Sequence, residues 1–184
     1  IGMGEKVAIV GGGNTAMDAC RTAVRLGAKE VYNIYRRTKD EMPADMVEIE
    51  EAEEEGVIFK NLTNPIEVVK DENGHVKEVI LQVMELGEPG ASGRRKPIVK
   101  EGSNFEIPVD MVIMSIGTKL NTLILDTTEH LEANKKGGIG TDDGAATNRE
   151  GIFAGGDAVT GAATVIKAMG AGKTAAASID AYLS

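Results

Sequence analysis

The sequence predicts an α/β fold built on a parallel sheet, and three observations carry that expectation. An apolar run, Val7-Ala8-Ile9-Val10, suits a strand covered on both faces. Three glycines follow, Gly11, Gly12 and Gly13, and then a helical pattern with Ala16, Cys20, Ala23 and Val24 on one face and Gly27 as its stop. Strand-like runs recur at residues 30–35, 57–61 and 109–116.

The first strand, the glycines and the helix give the spacing Gly11-x-Gly13-x-x-Ala16 in the context that a dinucleotide fingerprint requires. Gly11 permits a tight turn, Gly13 lets the backbone approach a pyrophosphate, and Ala16 still allows helix and strand to pack closely. The free N–H groups at the helix start, near Asn14 and Thr15, would then face the phosphates together with the positive end of the helix dipole. Without its neighbours the same glycine run would be only a tight turn.

The residue at the end of the second strand, EVYNIY, is expected to lie near the adenosine ribose. An NAD site carries Asp or Glu there, and that charge repels a 2′-phosphate. This chain carries Tyr35-Arg36-Arg37-Thr38-Lys39. Two guanidiniums suit a phosphate dianion in charge and in fork geometry. The plainer alternative is a solvated basic loop. Its position behind the fingerprint, in a chain of formal charge −9, favours the phosphate.

Residues 41–55 read as a second helix with Pro43 near its first turn and an apolar stripe of Met46, Val47, Ile49 and Ala52. Its acidic run, Glu50-Glu51 and Glu53-Glu54-Glu55, reads as a solvent face, and Gly56 ends it. Residues 65–70 and 76–85, joined by Asp71-Glu72-Asn73-Gly74, form an expected antiparallel hairpin. Residues 87–95 read as a polar loop and 104–108 as a third meander strand. The order βαβαβ, meander, buried strand makes one small Rossmann-like nucleotide-binding domain. Beyond it, short strands are expected at 138–141 and 151–154, then Gly155-Gly156-Asp157 and a helix over 162–183. Ala163, Ile166, Met169, Ala176 and Ile179 are expected to face inward on that helix. Gly170 and Gly172 cost it ~1 kcal/mol each, which implies close packing. Gly172-Lys173-Thr174 ends like a P-loop, but Lys167 stands where that motif needs glycine.

Composition narrows the function classes. The acidic balance argues against nucleic acid and anionic membranes, and Arg94-Arg95-Lys96 makes only a small basic patch. No apolar run is long enough to cross a bilayer. The single cysteine, Cys20, excludes internal disulfides and cysteine-rich metal sites, and its helix face makes it a core residue. His75 and His130 lack partners at ligand spacing and are expected to be solvated, so neither a metal site nor a catalytic residue is assigned.

Taken together, these motifs resemble the two-dinucleotide-domain flavoproteins, and in particular the glutamate synthase small (β) subunit and NADPH-dependent ferredoxin oxidoreductase subunits. Val10-Gly11-Gly12-Gly13-Asn14-Thr15-Ala16-Met17-Asp18 resembles the NADPH fingerprint of that family, Tyr35-Arg36-Arg37-Thr38 its 2′-phosphate site, and Glu41-Met42-Pro43-Ala44 the stretch after it. Ser115-Ile116-Gly117 is similar to the turn leaving the NADPH domain, although Leu120 replaces an expected proline. Thr147-x-x-x-Gly151-Ile152-Phe153-Ala154-x-Gly156-Asp157 is similar to the second FAD motif, in which the aspartate accepts from the ribitol.

The resemblance implies an NADPH-binding domain over 1–117 and, over 118–184, the C-terminal part of an FAD-binding domain. Gly156 and Asp157 would then contact FAD, and N–H groups at the last helix start, around Thr164 and Val165, would face the flavin. The implied chemistry is hydride transfer from NADPH to the flavin, then single electrons to iron–sulfur clusters of an iron–sulfur domain or an electron-acceptor subunit. A cytoplasmic location and a possible homodimer are further expectations. A chain opening on Ile1, four residues ahead of its central strand, reads as an excised piece lacking the first half of the FAD domain. It is expected to hold NADP(H), not to retain FAD tightly, and to be inactive alone. The rival readings are a non-catalytic NADP(H)-binding module, an ordinary NAD dehydrogenase domain, and a thioredoxin-reductase-like enzyme. The last requires a redox Cys-x-x-Cys, which the lone Cys20 excludes.

Overall fold

The computed structural model describes residues 2–90 and 93–184, in two compact units that divide between Ile116 and Gly117. In the first unit β1 (Lys6–Val10) leads through the glycine turn into α1 (Asn14–Arg25), followed by β2 (Glu30–Tyr35), α2 (Met46–Glu54) and β3 (Ile58–Asn61). The chain then forms β4 (Thr63–Lys70), β5 (Val76–Pro89), β6 (Arg95–Val99) and β7 (Phe105–Pro108), and returns as β8 (Met111–Met114). The parallel sheet has the order β3-β2-β1-β8. β5 pairs antiparallel with β4, β6 and β7 in a second sheet.

β1 is an inner strand, paired along both edges, and its side chains alternate between two cores. Val7 and Ile9 pack with Ala16, Met17, Cys20 and Ala23 of α1 and with Ile49 and Ala52 of α2. Ala8 and Val10 pack with Ile34 against Val79, Leu81, Ile107 and Val109. The antiparallel sheet thus covers the face that the helices leave bare, giving three layers. Each fully buried aliphatic side chain contributes roughly 1.5–3 kcal/mol, so the apolar run of β1 holds both interfaces. Asp110 secures the other end of the strand by accepting from the N–H of Glu5 at 2.9 Å and of Lys6 at 3.1 Å.

The expected second helix is shorter than its pattern. Lys39–Glu41 is a 3-10 turn, Met42 is extended (φ −66°, ψ 134°), and α2 begins at Met46. Pro43 is the cause, because its ring drives the preceding residue out of the helical region, so it lies before the helix and not in its first turn. Ile49 and Ala52 are buried as expected, whereas Met46 and Val47 are exposed. The acidic run is not simply a solvent face. Arg21 of α1 meets Glu48 at 2.8 Å, Glu51 at 2.5 Å and Glu55 at 2.9 Å, and Arg25 meets Glu55 at 2.5 Å.

The polar loop expected over 87–95 is strand at both its ends. β5 continues to Pro89, and Arg95–Val99 pairs back on it with Glu85 opposite Ile98 and Leu86 opposite Pro97. Ala91 and Ser92, also within that expected loop, lie outside the described residues. A Cβ on Gly87 would come within 2.6 Å of Ile98, so that glycine serves close strand pairing.

The second unit contains α3 (Leu123–Thr127), α4 (Asp157–Thr160) and α5 (Val165–Leu183). The two short strands expected there are single antiparallel bridges, Ala133 to Ile139 and Ala146 to Phe153. α5 begins three residues later than expected and places Gly172-Lys173-Thr174 in mid-helix. Its packed face also differs. Ile166, Met169 and Ile179 are exposed, and Cβ atoms on Gly170 and Gly172 would meet nothing within 4 Å. The contacts run along Ala168, Ala171, Ser178 and Tyr182, which approach Gly156, Gly155, Gly144 and Gly151 respectively. Small residues win this face because the glycine-rich loops come too near for branched side chains. Among the described residues no helix is long and apolar enough to cross a membrane.

Hydrogen bonds from Arg25 and then Arg21 hold the Glu55 carboxyl down from 4.5 to about 2. A depressed carboxylate stabilises the fold above its unfolded value, and that stability is lost as pH falls toward 2. Glu55→Gln is therefore expected to melt below the wild type at neutral pH, with the gap closing as pH falls from 4.5 toward 2. Thermal unfolding followed by circular dichroism across that range checks this, and a gap independent of pH contradicts it.

Candidate dinucleotide-binding site

The turn between β1 and α1 is fixed from every side. Gly11 N–H donates to Ile34 O at 3.0 Å, and the wholly buried Asn33 donates from Nδ2 to Gly11 O at 2.9 Å. Ser115 N–H donates to Val10 O at 2.8 Å. The Ser115 carbonyl oxygen would stand 2.3 Å from a Cβ on Gly11, whose φ is +149°, and so forbids a side chain there. Gly12 lies beneath the Tyr35 ring, which a Cβ would approach to 2.5 Å. Gly13 differs from both, since a Cβ there would meet nothing nearer than Pro43 at 4.0 Å. The protein itself does not require glycine at 13; the space over it is open to a ligand.

Around that space the backbone donors are unsatisfied. α1 has no side-chain cap. Ala16 and Met17 donate to Gly13 O. Among the described residues no acceptor is recorded for the N–H of Gly12, Gly13, Asn14 or Thr15. Unpaired N–H groups at a helix start, under the positive end of its dipole, make an anion site. The Asn14 side chain does a different task. Its Nδ2 donates to Asp45 Oδ2 at 2.9 Å and its Oδ1 accepts from Asp45 N–H at 2.8 Å. With Ala44 N–H donating to Gly12 O at 3.0 Å, this pins the segment after Pro43 against the turn.

The basic loop adjoins the same turn through Tyr35. The Tyr35 hydroxyl donates to Glu41 O at 2.9 Å, and Arg94 Nη2 donates to that hydroxyl and to Glu41 O, each at 3.1 Å. Arg37 Nε donates to Arg95 O at 2.9 Å. Its own carbonyl accepts from Leu62 N–H at 3.0 Å, where Leu62 takes the unusual φ of 52°. Arg36 is exposed. Among the described residues Arg36, Arg37, Arg94 and Arg95 enter no ion pair. That is notable in a chain with 29 acidic residues, several of which pair with Arg21 and Arg25.

Gly117, expected in the turn leaving the NADPH domain, and the expected flavin residues Gly156, Asp157, Thr164 and Val165 belong to the second unit. Gly117 has φ +86° and Gly156 φ +67°, conformations that favour glycine. Asp157 opens α4, is exposed, and has no recorded partner for its carboxylate among the described residues. Thr164 caps α5 by accepting from Lys167 N–H at 3.4 Å, and Val165, the first helical residue, is exposed.

Sequence reasoning did not single out Asn33, although a polar residue in an otherwise apolar strand was a signal. It saw Arg94 only as part of a basic patch. Cys20 is buried as expected, its thiol pushed up to about 12 by desolvation, which leaves it unreactive.

A parallel sheet bearing a glycine turn with unpaired donors, crossed by an antiparallel sheet, defines a Rossmann-type dinucleotide-binding protein. The chain belongs to the pyridine nucleotide-disulphide oxidoreductase family, whose model matches residues 2–172. It is 48% identical over 181 residues to the NADP(+)-dependent formate dehydrogenase subunit beta of Moorella thermoacetica, covering 98% of this chain and 25% of that protein. It is 39% identical over 184 residues to the glutamate synthase [NADPH] small chain of Escherichia coli K12, covering 98% and 39%. The chain thus spans between a quarter and two-fifths of these two relatives. Among solved structures, T. acidophilum thioredoxin reductase matches with a TM-score of 0.75 at 22% identity, covering 97% of this chain and 53% of that one. That likeness concerns the fold.

Gly11→Ala is expected to lose about 1–3 kcal/mol of stability, since the new methyl would meet the Ser115 carbonyl. Urea unfolding measures it, and wild-type stability in this variant would contradict the packing described for the turn.

Proposed function

We propose that residues 1–117 form an NADPH-binding domain, that 118–184 are the C-terminal part of an FAD-binding domain, and that both serve a flavin-dependent oxidoreductase. The observation that carries the reading is that, among the described residues, the N–H donors of Gly12, Gly13, Asn14 and Thr15 have no acceptor and Arg36, Arg37 and Arg94 enter no ion pair. The pyrophosphate is assigned to the donors and the open space over Gly13, and the adenosine 2′-phosphate to Arg36 and Arg37. Both assignments require anion binding only, which these groups supply. NADP or NADPH in the relatives' names supports the choice of nucleotide.

The FAD assignment draws on the Asp157 carboxylate behind Gly156, which has no partner among the described residues and is suited to accept from a polyol. It draws also on the start of the 19-residue helix α5 at Thr164 and Val165, whose N–H groups favour negative charge. When bound, the flavin would supply an acceptor for the nicotinamide hydride and one-electron reduction of a further centre. This chain's residues would bind and orient the two cofactors, so no acid or base side chain is required. An iron–sulfur domain or an electron-acceptor subunit would receive the electrons, in the cytoplasm. Dye reduction by NADPH in the full-length protein, with and without added FAD, tests the oxidoreductase reading. NADPH binding without any dye reduction in either condition would favour a nucleotide-binding module.

Two variants test the NADPH site. Arg36→Ala is expected to weaken NADP+ binding about tenfold or more, with little change for NAD+, because a hydrogen bond to a charged group is worth ~1.5–3 kcal/mol. Equal losses for both nucleotides in calorimetric titrations would contradict the assignment. Gly13→Ala is expected to change stability by less than about 1 kcal/mol, since Ala is a poorer N-cap but lowers the unfolded chain's entropy, while losing nucleotide affinity, because only the ligand needs that space. Undiminished affinity would place the pyrophosphate elsewhere.

A further inference from the structure

We propose that Arg94 is a third cation for the adenosine 2′-phosphate and helps to set the preference for NADP(H) over NAD(H). The proposal rests on the dinucleotide reading above and extends it to a residue outside the fingerprint and outside the loop that follows β2.

Arg94 lies 59 residues from Tyr35 in sequence, yet Nη2 is 3.1 Å from the Tyr35 hydroxyl. That places its guanidinium at the far end of the ring whose edge covers Gly12. Its two recorded acceptors, the Tyr35 hydroxyl and the Glu41 carbonyl, are both neutral and engage one nitrogen. A guanidinium carries five N–H donors, so most of its donors and all of its charge remain available. The nearest acid in sequence to this contact, Glu41, turns its carboxylate to Thr38, whose N–H lies at 3.4 Å and hydroxyl at 3.2 Å.

The neighbouring residues hold Arg94 in place. Arg95 donates from Nε to Gly87 O and from Nη2 to Leu86 O, each at 3.1 Å, which braces the return of the hairpin. Arg95 O in turn accepts from Arg37 Nε at 2.9 Å, so the start of β6, next to Arg94, is tied directly to Arg37. Arg95 is a brace, and Arg94 is the residue left free to meet an anion. A dianion is recognised best by planar forks converging from several directions. Arg36 and Arg37 follow the end of β2, and Arg94 stands immediately before β6.

The test measures binding of NADP+, NAD+, adenosine 2′,5′-bisphosphate and 5′-AMP to the full-length protein by calorimetry. Arg94→Ala is expected to weaken NADP+ and the bisphosphate about tenfold or more, while NAD+ and 5′-AMP stay within about twofold. Arg94→Gln keeps a donor for the Tyr35 hydroxyl but no charge, and is expected to show the same selective loss. A brace that acts only by positioning Tyr35 would weaken all four ligands in Arg94→Ala and spare all four in Arg94→Gln, and that result overturns the proposal. Selective loss in Arg36→Ala with none in either Arg94 variant overturns the proposal and leaves the underlying site standing. If Arg36→Ala shows no selective loss either, the site reading itself fails.

Discussion

A single carbonyl oxygen, that of Ser115 after β8, leaves no room for a side chain on Gly11, and the shape of the turn follows from that contact. Because β1 lies between β2 and β8, its exit must pass under both neighbours. Gly11 accepts from Asn33 on one side and gives way to Ser115 on the other. The chain then rises into α1, and among the described residues its first N–H groups have no protein acceptor. Gly12 is closed by Tyr35, and Gly13 stays open. Two glycines are thus explained by the fold, and the third is explained by what the fold leaves exposed.

Charge is divided between two uses of arginine. Arg21 and Arg25 meet carboxylates of α2 and join the two helices. Such exposed pairs add modestly to stability. Among the described residues Arg36, Arg37 and Arg94 enter no ion pair, and the recorded bonds of Arg37 and Arg94 go to neutral acceptors. In so acidic a chain a cluster without counter-ions is held by local structure, here Tyr35, the Glu41 carbonyl and the hairpin return. Its electrostatic self-repulsion would be relieved by an anion, which links the packing of this corner to its binding chemistry.

Much of this was legible where one local signal governs. β2 runs over the six residues of EVYNIY, because β-branched and aromatic residues fill a strand buried on both faces. The fingerprint was legible because strand, turn and helix are contiguous. Legibility failed where distant contacts decide. Pro43 displaced the start of α2, since Met42 is drawn into the core in an extended conformation. β6 was not anticipated, its first residue falling in the expected loop, because Arg95, Lys96 and Pro97 obscure its alternation, although an edge strand tolerates a proline. On α5 the large aliphatics suggested one inward face, whereas the glycine loops select the alanine face. Arg94 gave no local sign of its position, because only the hairpin return brings it to Tyr35.

We assign the pyrophosphate to the backbone donors from Gly12 to Thr15. A crystal structure of the full-length protein with NADP+ bound tests that most directly. Phosphate oxygens should lie within about 2.7–3.2 Å of those N–H groups. A bound nucleotide whose phosphates lie away from the turn, with the four donors still unpaired, would contradict it.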